Sequence, residues 1–293
     1  MKREILLPSV LTLGIIVISF GAIIIRLVGG ASVFAISAWR LGVASLVLFP
    51  FAIRGGSLSK ISRRDLLFSA LSGFFLSLHF ILWIASLDYT SVASSVVLVS
   101  TSPIFVGMGA RFFIHEPPSR LLKLAIALAV GGAVVIGWGD MRLGGTALQG
   151  DLLAIGGAVM AAGYFLSGRR VRQKVPLSGY ALMTYGTATI LLLIVCLATG
   201  QPLGGFSLPD YMWLILLGLG PQLIGHTSLN WALEYLQASV VSIVTLGEPI
   251  GATILAYIIF GEALTLMKGV GGAIILVGIY LGMRTGSKAV LAD

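Results

Sequence analysis

The chain has 293 residues, of which 57% are hydrophobic and only 10% are charged, and its mean hydropathy is +1.03. A soluble domain carries roughly 25% charged residues, so this composition excludes an ordinary soluble enzyme and predicts a polytopic membrane protein. The net charge of +8 comes from short basic clusters between apolar runs, a pattern typical of membrane topology and not of nucleic-acid binding. The single cysteine, Cys196, excludes an internal disulfide and any multi-cysteine metal site.

Ten apolar stretches are long enough to cross a bilayer, which takes about 20 residues of helix. In chain order they cover residues 6–28, 33–54, 66–87, 90–114, 120–139, 150–169, 179–200, 210–235, 238–261 and 268–285. The first stretch is too long for the apolar core of a signal peptide, and we interpret it as a retained span. The loops between the stretches are short. We therefore expect an all-α integral membrane fold whose function resides within the helix bundle.

Basic residues are distributed unequally between the two sides of the predicted bundle. With ten spans, one side receives 15 of the 19 Lys and Arg residues. Cytoplasmic loops carry the excess of basic residues, which predicts a multi-pass protein of the inner membrane with both termini in the cytoplasm. The other side and the outer halves of the spans hold Arg26, Arg40, Arg142 and Lys268.

The sequence repeats itself at an offset of 146 residues. The aligned pairs are Leu87-Asp88-Tyr89 with Leu233-Glu234-Tyr235, Pro103-Ile104 with Pro249-Ile250, Ala110 with Ala256, and Glu116 with Glu262. The halves, residues 1–143 and 144–293, then contain five spans each. Because five is odd, the second copy is expected to enter the membrane in the opposite sense, as in many secondary transporters.

Two five-span halves, each with a proline in its fourth span and a glutamate at the end of that span, resemble the EamA-type branch of the drug/metabolite transporter superfamily. The Gly247-Glu248-Pro249 element is similar to one that the second half of such proteins often carries, whereas the first half has Thr101-Ser102-Pro103. Within that branch the chain looks most like the inner-membrane aromatic amino-acid exporters of the YddG type. The resemblance implies alternating access around a central cavity.

Polar and aromatic side chains recur in the spans that would line this cavity, namely spans three, four, eight and nine. In span eight, Gln222, His226, Asn230 and Glu234 recur every fourth residue, which on an α-helix places them along one face. Tyrosines of spans six and seven are expected to add to the wall. The predicted substrate-binding residues are His79, Trp83, Ser100, Thr101, Tyr164, Tyr185, His226, Asn230, Trp231, Thr245 and Glu248. The alternative is that each packs within the bundle and makes an interhelical hydrogen bond of about 0.6–2 kcal/mol.

Two prolines interrupt spans four and nine. Pro103 and Pro249 each remove a backbone donor and free a carbonyl one turn earlier, at Val99 and Thr245. Both prolines are predicted hinges. The alternative is a kink that local hydroxyl groups stabilise.

Three acids and one base carry further predictions. Glu248 either pairs with a cationic substrate group, titrates as a proton-coupling acid, or stays neutral and hydrogen-bonded beside its proline. Glu116 and Glu262 lie at span ends on opposite sides of the membrane and are predicted gate residues. Arg40, in the outer half of span two, either receives a substrate carboxylate, pairs with an acid of the outer half, or lies at the membrane interface.

Small residues recur along one face of spans five and ten. They are Ala125, Ala129, Ala133, Gly137, Gly278 and Gly282. Their spacing permits close helix approach, within the chain or in a dimer. The expected oligomeric state is therefore a monomer or a homodimer.

Motifs for other chemistry are incomplete. His115-Glu116 lacks the second histidine of a zinc motif, and the chain contains no P-loop; we expect neither a metal nor a cofactor. The predicted function is export of small amphipathic metabolites, above all amino acids with aromatic or other apolar side chains. The expected partners are this small-molecule substrate and the lipid bilayer, without nucleic acid. The alternatives are export of cationic drugs or other metabolites by the same fold, or an intramembrane lipid-modifying enzyme.

Overall fold

The computed structural model describes residues 3–59, 61–90, 92–138, 146–261 and 263–290. Within these residues the regular structure is entirely helical, which confirms the predicted all-α membrane fold. We number the spans in chain order, counting an interrupted helix once. Their bounds are α1 Arg3–Leu27; α2 Val33–Arg54; α3 Arg63–Ser86; α4 Val92–Val99, Ser102–Gly109 and Ala110–Ile114; α5 Arg120–Gly137; α6 Thr146–Arg172; α7 Leu177–Ala198; α8 Leu208–Leu217, Gly218–His226 and Thr227–Ala232; α9 Ala238–Val244 and Gly247–Phe260; and α10 Leu266–Val290.

Helix lengths match the thickness of a bilayer. Among the described residues, nine helices are long and apolar enough to cross a membrane. The remaining predicted span is α5, an 18-residue helix with Arg120 and Lys123 in its first turn. Eighteen residues of α-helix extend about 27 Å, close to the hydrocarbon thickness of about 30 Å. Each of the ten predicted spans therefore corresponds to a helix.

Helix ends recur at the offset found in the sequence. α3 ends at Ser86 and α8 ends 146 residues later, at Ala232. The two-residue turn at 100–101 that interrupts α4 has a counterpart at 245–246 in α9, to within one residue. Internal repetition is thus visible in the secondary structure, while the inverted orientation of the second copy stays a prediction.

The chain forms two compact units that each combine helices from both predicted halves. The first unit contains Met1–Ile81 and Ser167–Glu234, and the second contains Leu82–Leu166 and Tyr235–Asp293. The boundaries cut α3 and α6. Helices that belong to the same predicted half can therefore lie in different units.

In the first unit, α2 packs against α7, and both α1 and α2 pack against α8. Hydrogen bonds near the helix ends connect segments that the distribution of basic residues places on the same side of the membrane. The backbone N–H of Gly29 donates to Asp210 at 2.9 Å on the predicted outer side. On the predicted inner side, the hydroxyl groups of Ser57 and Ser178 lie 2.8 Å apart. These two contacts agree with the sides that the basic residues predict for the ends of α1, α2, α7 and α8.

In the second unit, α5 and α10 pack along their small residues. A Cβ atom on Gly278 would lie 2.7 Å from the Cβ of Ala129, and one on Gly132 would lie 2.6 Å from the carbonyl oxygen of Gly271. Neither position has room for a side chain. The small-residue faces of spans five and ten are therefore used for packing within the chain.

We predict that Gly132→Ala destabilises this contact by about 1–3 kcal/mol, because the added methyl group overlaps backbone atoms of α10. Gly131→Ala is the matched control on the same helix, since no heavy atom lies within 4 Å of its added Cβ. Alanine is the better helix former, so the control is expected to be neutral or stabilising by up to about 1 kcal/mol. Thermal unfolding of the detergent-purified variants measures the difference, and equal melting temperatures would contradict the prediction.

Candidate functional site

A guanidinium group is buried inside the first unit. Arg40 of α2 is only 1% exposed. Its Nε donates to the side-chain oxygen of Gln222 in α8 at 2.8 Å, and its Cζ lies 4.2 Å from the ring centroid of Phe80 in α3. The hydrogen bond and the aromatic face partly offset the loss of hydration of the cation. A charge at this depth is rare in a membrane protein and marks a functional-site candidate.

α8 presents a row of buried polar side chains to this region. Gln222 and Asn230 are fully buried and His226 nearly so. The backbone is not regular α-helix here, because Gly218–His226 forms a π-helix that contains Pro221. Proline has no backbone N–H to donate to a carbonyl of the preceding turn. The wider turn of a π-helix accommodates its ring. Three residues of the predicted polar face, Gln222, His226 and Asn230, are thus buried on α8, on a helix whose π-helical geometry the sequence pattern did not reveal.

Tyr185 of α7 connects to the same row. Its buried hydroxyl accepts a hydrogen bond from the Asn230 amide at 3.0 Å and lies 3.1 Å from the hydroxyl of Thr227. The Phe80 ring meets the His226 ring edge to face at 5.4 Å, and the His79 ring lies 5.0 Å from Phe80. The structure therefore brings four predicted site residues together. We call the group formed by Arg40, His79, Phe80, Tyr185, Gln222, His226, Thr227 and Asn230 the Arg40 cluster.

Two members of the cluster were absent from the sequence prediction. Phe80 is fully buried and lies between the guanidinium and two imidazole rings. Thr227 contacts Tyr185 from the helical turn after the π-helix. In the sequence, Phe80 is one apolar residue among many, and only its position next to His79 is a signal. Trp231, which was predicted, is half-buried on α8 beside Asn230.

The other described residues of the prediction belong to the second unit. Trp83 and Tyr164 are buried, and Ser100, Thr101, Thr245 and Glu248 are half-buried. Glu262, a predicted gate residue, lies outside the described residues.

The turns in α4 and α9 are stabilised by local hydroxyl groups. Thr101 Oγ1 donates to the Leu98 carbonyl at 2.6 Å, and Thr245 Oγ1 donates to the Ser242 carbonyl at 2.7 Å. The Thr245 carbonyl, which was predicted to be free, accepts the backbone N–H of Glu248 at 2.9 Å. These contacts favour the alternative of a locally stabilised break in the helix.

Pro249 and Glu248 both lie in the first turn of the helix segment Gly247–Phe260. Backbone N–H groups of a first turn have no partner within the helix, so a proline is tolerated there. A carboxylate in the first turn interacts favourably with the positive end of the helix. Pro103 likewise lies at the start of its segment. The chain thus restarts a helix at each proline.

The predicted gate residue Glu116 follows the end of α4. α4 closes with a π-helix, Ala110–Ile114, and His115 then adopts a left-handed conformation with φ 58°. The backbone N–H of Glu116 donates to the Ala110 carbonyl at 3.0 Å. Its side chain is half-buried at this turn.

Asp151 of α6 is a buried acid that the sequence analysis did not select. Its Oδ1 accepts hydrogen bonds from Thr90 Oγ1 at 2.9 Å and Ser94 Oγ at 3.0 Å within the second unit. These bonds connect the start of α6 to the region where α4 begins. Asp151 is the second residue of the predicted span 150–169, where an acid is expected to lie at the membrane interface. The sequence therefore gives no signal that Asp151 is buried.

Two arginines of α6 hold the end of α8 in the first unit. Arg172, which is buried, donates to the Asn230 carbonyl at 3.0 Å and to the Glu234 carboxylate at 2.5 Å. Arg169 donates to the Leu233 carbonyl at 2.8 Å. The last carbonyls of a helix lack partners within it, and cations stabilise this end. Glu234 therefore departs from the polar face of α8 and serves this contact.

A metal centre receives no support from the geometry. Among the residues that the structure describes, no group of three or more His, Cys, Asp or Glu side chains could hold a metal ion. The chemistry of the Arg40 cluster is instead that of a cation, aromatic rings and neutral hydrogen-bonding groups. Such a set is suited to binding an organic solute.

Comparison with known proteins identifies relatives that match this chain over most of its length. An uncharacterized transporter of Clostridium kluyveri is 25% identical over 258 residues, which cover 84% of this chain and 82% of that protein. Solute carrier family 35 member G1 of Mus musculus is 27% identical over 279 residues, covering 88% and 73% of the two chains. A solved crystal structure with 16% identity superposes with a TM-score of 0.78 over 97% of this chain and 99% of its own, which shows a shared fold.

The family comparison finds the same family at two places along the chain. The model of the EamA-like transporter family matches residues 7–138 and again residues 148–284. One match falls in each predicted half, and together they cover most of the chain. This chain therefore belongs to the EamA-like transporter family and is a multi-pass membrane transporter.

Proposed function

We propose that this transporter exports amino acids with aromatic or other apolar side chains across the inner membrane by alternating access. The observation that carries the proposal is the buried guanidinium of Arg40 among aromatic rings and neutral polar groups. This substrate class agrees with the aromatic amino-acid exporters that the sequence resembles.

A guanidinium is the side chain best suited to bind a carboxylate, because its planar N–H groups match the two oxygens. In the Arg40 cluster, the Nε of the guanidinium donates to a neutral amide oxygen, that of Gln222. A substrate carboxylate would replace this oxygen with a charged acceptor. The rings of Phe80 and His226 then offer apolar and aromatic surface beside the bound carboxylate.

The cluster is closed in the described conformation, since Arg40 is only 1% exposed. Substrate binding therefore requires helices of the first unit to separate around it. Alternating access supplies such a motion, because each half-cycle exposes a central site to one side of the membrane. The binding energy of the carboxylate would stabilise the open conformation.

The alternatives fit the site less well. A cationic drug would meet the positive charge of Arg40, and like charges at low dielectric repel each other strongly. Membership of a transporter family supports transport over lipid modification. The remaining predicted residues stay proposals. The proposed substrate-binding residues outside the Arg40 cluster are Trp83, Ser100, Thr101, Tyr164, Trp231, Thr245 and Glu248, and the proposed hinge or gate residues are Pro103, Pro249, Glu116 and Glu262.

We expect purified protein in liposomes to move labelled phenylalanine down its gradient. Phenylalaninamide, which lacks the carboxylate, should move about 10-fold to 100-fold more slowly, as the loss of a hydrogen bond to a charged group implies. Empty liposomes provide the background rate. Absence of flux for a panel of amino acids would overturn the substrate class, and equal rates for phenylalanine and its amide would overturn the role of Arg40.

Arg40→Gln should lower phenylalanine transport at least about 10-fold and remove the preference for phenylalanine over its amide, because the cation is lost. Arg172→Gln is the matched control, since Arg172 is also a buried arginine of the first unit. Its carbonyl partners would lose donors, so stability should fall by about 1–3 kcal/mol while the preference for the carboxylate persists. Flux assays with both substrates and gel filtration of each variant separate the two effects. A preference that survives Arg40→Gln would contradict the proposal.

The proposed orientation places both termini in the cytoplasm. A periplasmic reporter, alkaline phosphatase, should be active when inserted in the loop between α7 and α8 and inactive when fused to the carboxyl terminus. The opposite pattern of activities would show an inverted orientation and would also reverse the proposed direction of transport.

A further inference from the structure

A cavity lies in the second unit, between the end of α4 and the start of α5. Its volume is about 370 Å³, within the size range of small-molecule sites. Two prolines, Pro117 and Pro118, form part of its wall where the chain turns between the helices. The cavity is therefore a groove at the end of two spans.

The walls of the groove are apolar and open to the surroundings. Met108 is 63% exposed and Phe112 is 71% exposed, and both line the groove together with Ile104 and Ile126. At its base, a Cβ on Gly107 would lie 3.1 Å from the Ile126 side chain, so the helices meet there. In a membrane, exposed apolar side chains of spanning helices face lipid tails.

Two cations line the same groove. Arg111 lies in the π-helix that ends α4, and Lys123 lies in the first turn of α5. Neither forms an ion pair with any residue that the structure describes, and no acid is among the residues that line the groove. The helix that begins at Arg120 also directs its positive end toward this region.

The sequence repeat shows that these cations are particular to one copy. At the offset of 146 residues, Tyr257 corresponds to Arg111 and Gly269 corresponds to Lys123. The scaffold is shared, since Ala110 corresponds to Ala256 and both carbonyls accept the N–H of a left-handed residue. The paired positive charge is therefore not a requirement of the fold.

The geometry points to a binding site for an anionic phospholipid in this groove. One acyl chain lies along Ile104, Met108 and Phe112, and the phosphate group lies between Arg111 and Lys123. Apolar walls that end in two cations complement the two parts of such a lipid. The charge distribution assigns this end of α4 to the cytoplasmic leaflet, where anionic lipids attract basic residues.

Purified full-length protein tests this site by native mass spectrometry with phosphatidylglycerol and phosphatidylcholine of identical acyl chains. Wild-type protein should retain phosphatidylglycerol about 30-fold more tightly than phosphatidylcholine, and replacing both cations (Arg111→Gln with Lys123→Gln) should remove this preference by weakening phosphatidylglycerol binding about 30-fold. Binding of phosphatidylcholine should be unchanged by the substitutions.

The matched control replaces Arg63 and Arg64 with glutamine, which removes two exposed basic residues on the same predicted side but outside the groove. This variant should keep the affinity for phosphatidylglycerol. An equal loss in the control would show attraction to net charge and would overturn the site. Equal affinity of wild-type protein for the two lipids would overturn it whether or not the variants fold.

Two further outcomes would also overturn the proposal. Displacement of phosphatidylglycerol by an equal concentration of glycerol 3-phosphate would show a site for a free phosphate compound instead of a lipid. A dimer that excludes phosphatidylglycerol would show that a second copy of the chain covers the groove. Retention of the lipid by a monomer, in competition with glycerol 3-phosphate, is the expected result.

Discussion

In the hydrocarbon of a membrane, a polar group has to be satisfied by the protein itself, because water is not there to replace a missing partner. This requirement explains how the interrupted helices of this transporter are stabilised. Where α4 and α9 break, the hydroxyl groups of Thr101 and Thr245 bond to carbonyls of their own turns. Where α8 ends, Arg169 and Arg172 bond to its last carbonyls. At these three places a polar side chain therefore bonds to backbone carbonyls where the helix is interrupted or ends.

The two copies of the repeat share more than their helix lengths. His115 ends α4 and Gly261 ends α9, both in the left-handed conformation, 146 residues apart. Glycine adopts this conformation without steric cost, whereas another residue pays roughly 1–2 kcal/mol. The first copy ends its helix in this same conformation although the residue there is a histidine. The residue at this position thus differs between the two copies, while the backbone conformation is the same.

Hydropathy predicted the helices well, because transfer of a long apolar segment into the bilayer dominates their free energy. It could not predict which face of each helix meets protein, since lipid is as apolar as a neighbouring helix. His79, Tyr185, His226 and Asn230 were recognisable as polar or aromatic groups at costly positions. Phe80 could not be recognised as a site residue, because an aromatic side chain in a span packs equally well against lipid.

Other features depended on contacts distant in sequence. The π-helix of α8 has one local signal, Pro221, and a proline also fits a simple kink. Burial of Asp151 depends on hydroxyl groups about 60 residues away, at Thr90 and Ser94. Compact units that draw helices from both halves cannot be read from the repeat, because a repeat predicts similar parts and not which parts pack together.

The two buried arginines of the first unit show why burial by itself does not define a site. Both lose their hydration, which costs several kcal/mol per ion unless strong partners replace it. Arg172 bonds to backbone carbonyls and to the carboxylate of Glu234, so its charge is compensated by the protein and its role follows from the end of α8. The described bond and ring contact of Arg40 are to a neutral amide and an aromatic face. The Arg40 cluster thus combines a guanidinium with aromatic rings and neutral hydrogen-bonding groups. Such a combination is suited to an organic carboxylate, and it is the physical basis for proposing substrate recognition at Arg40.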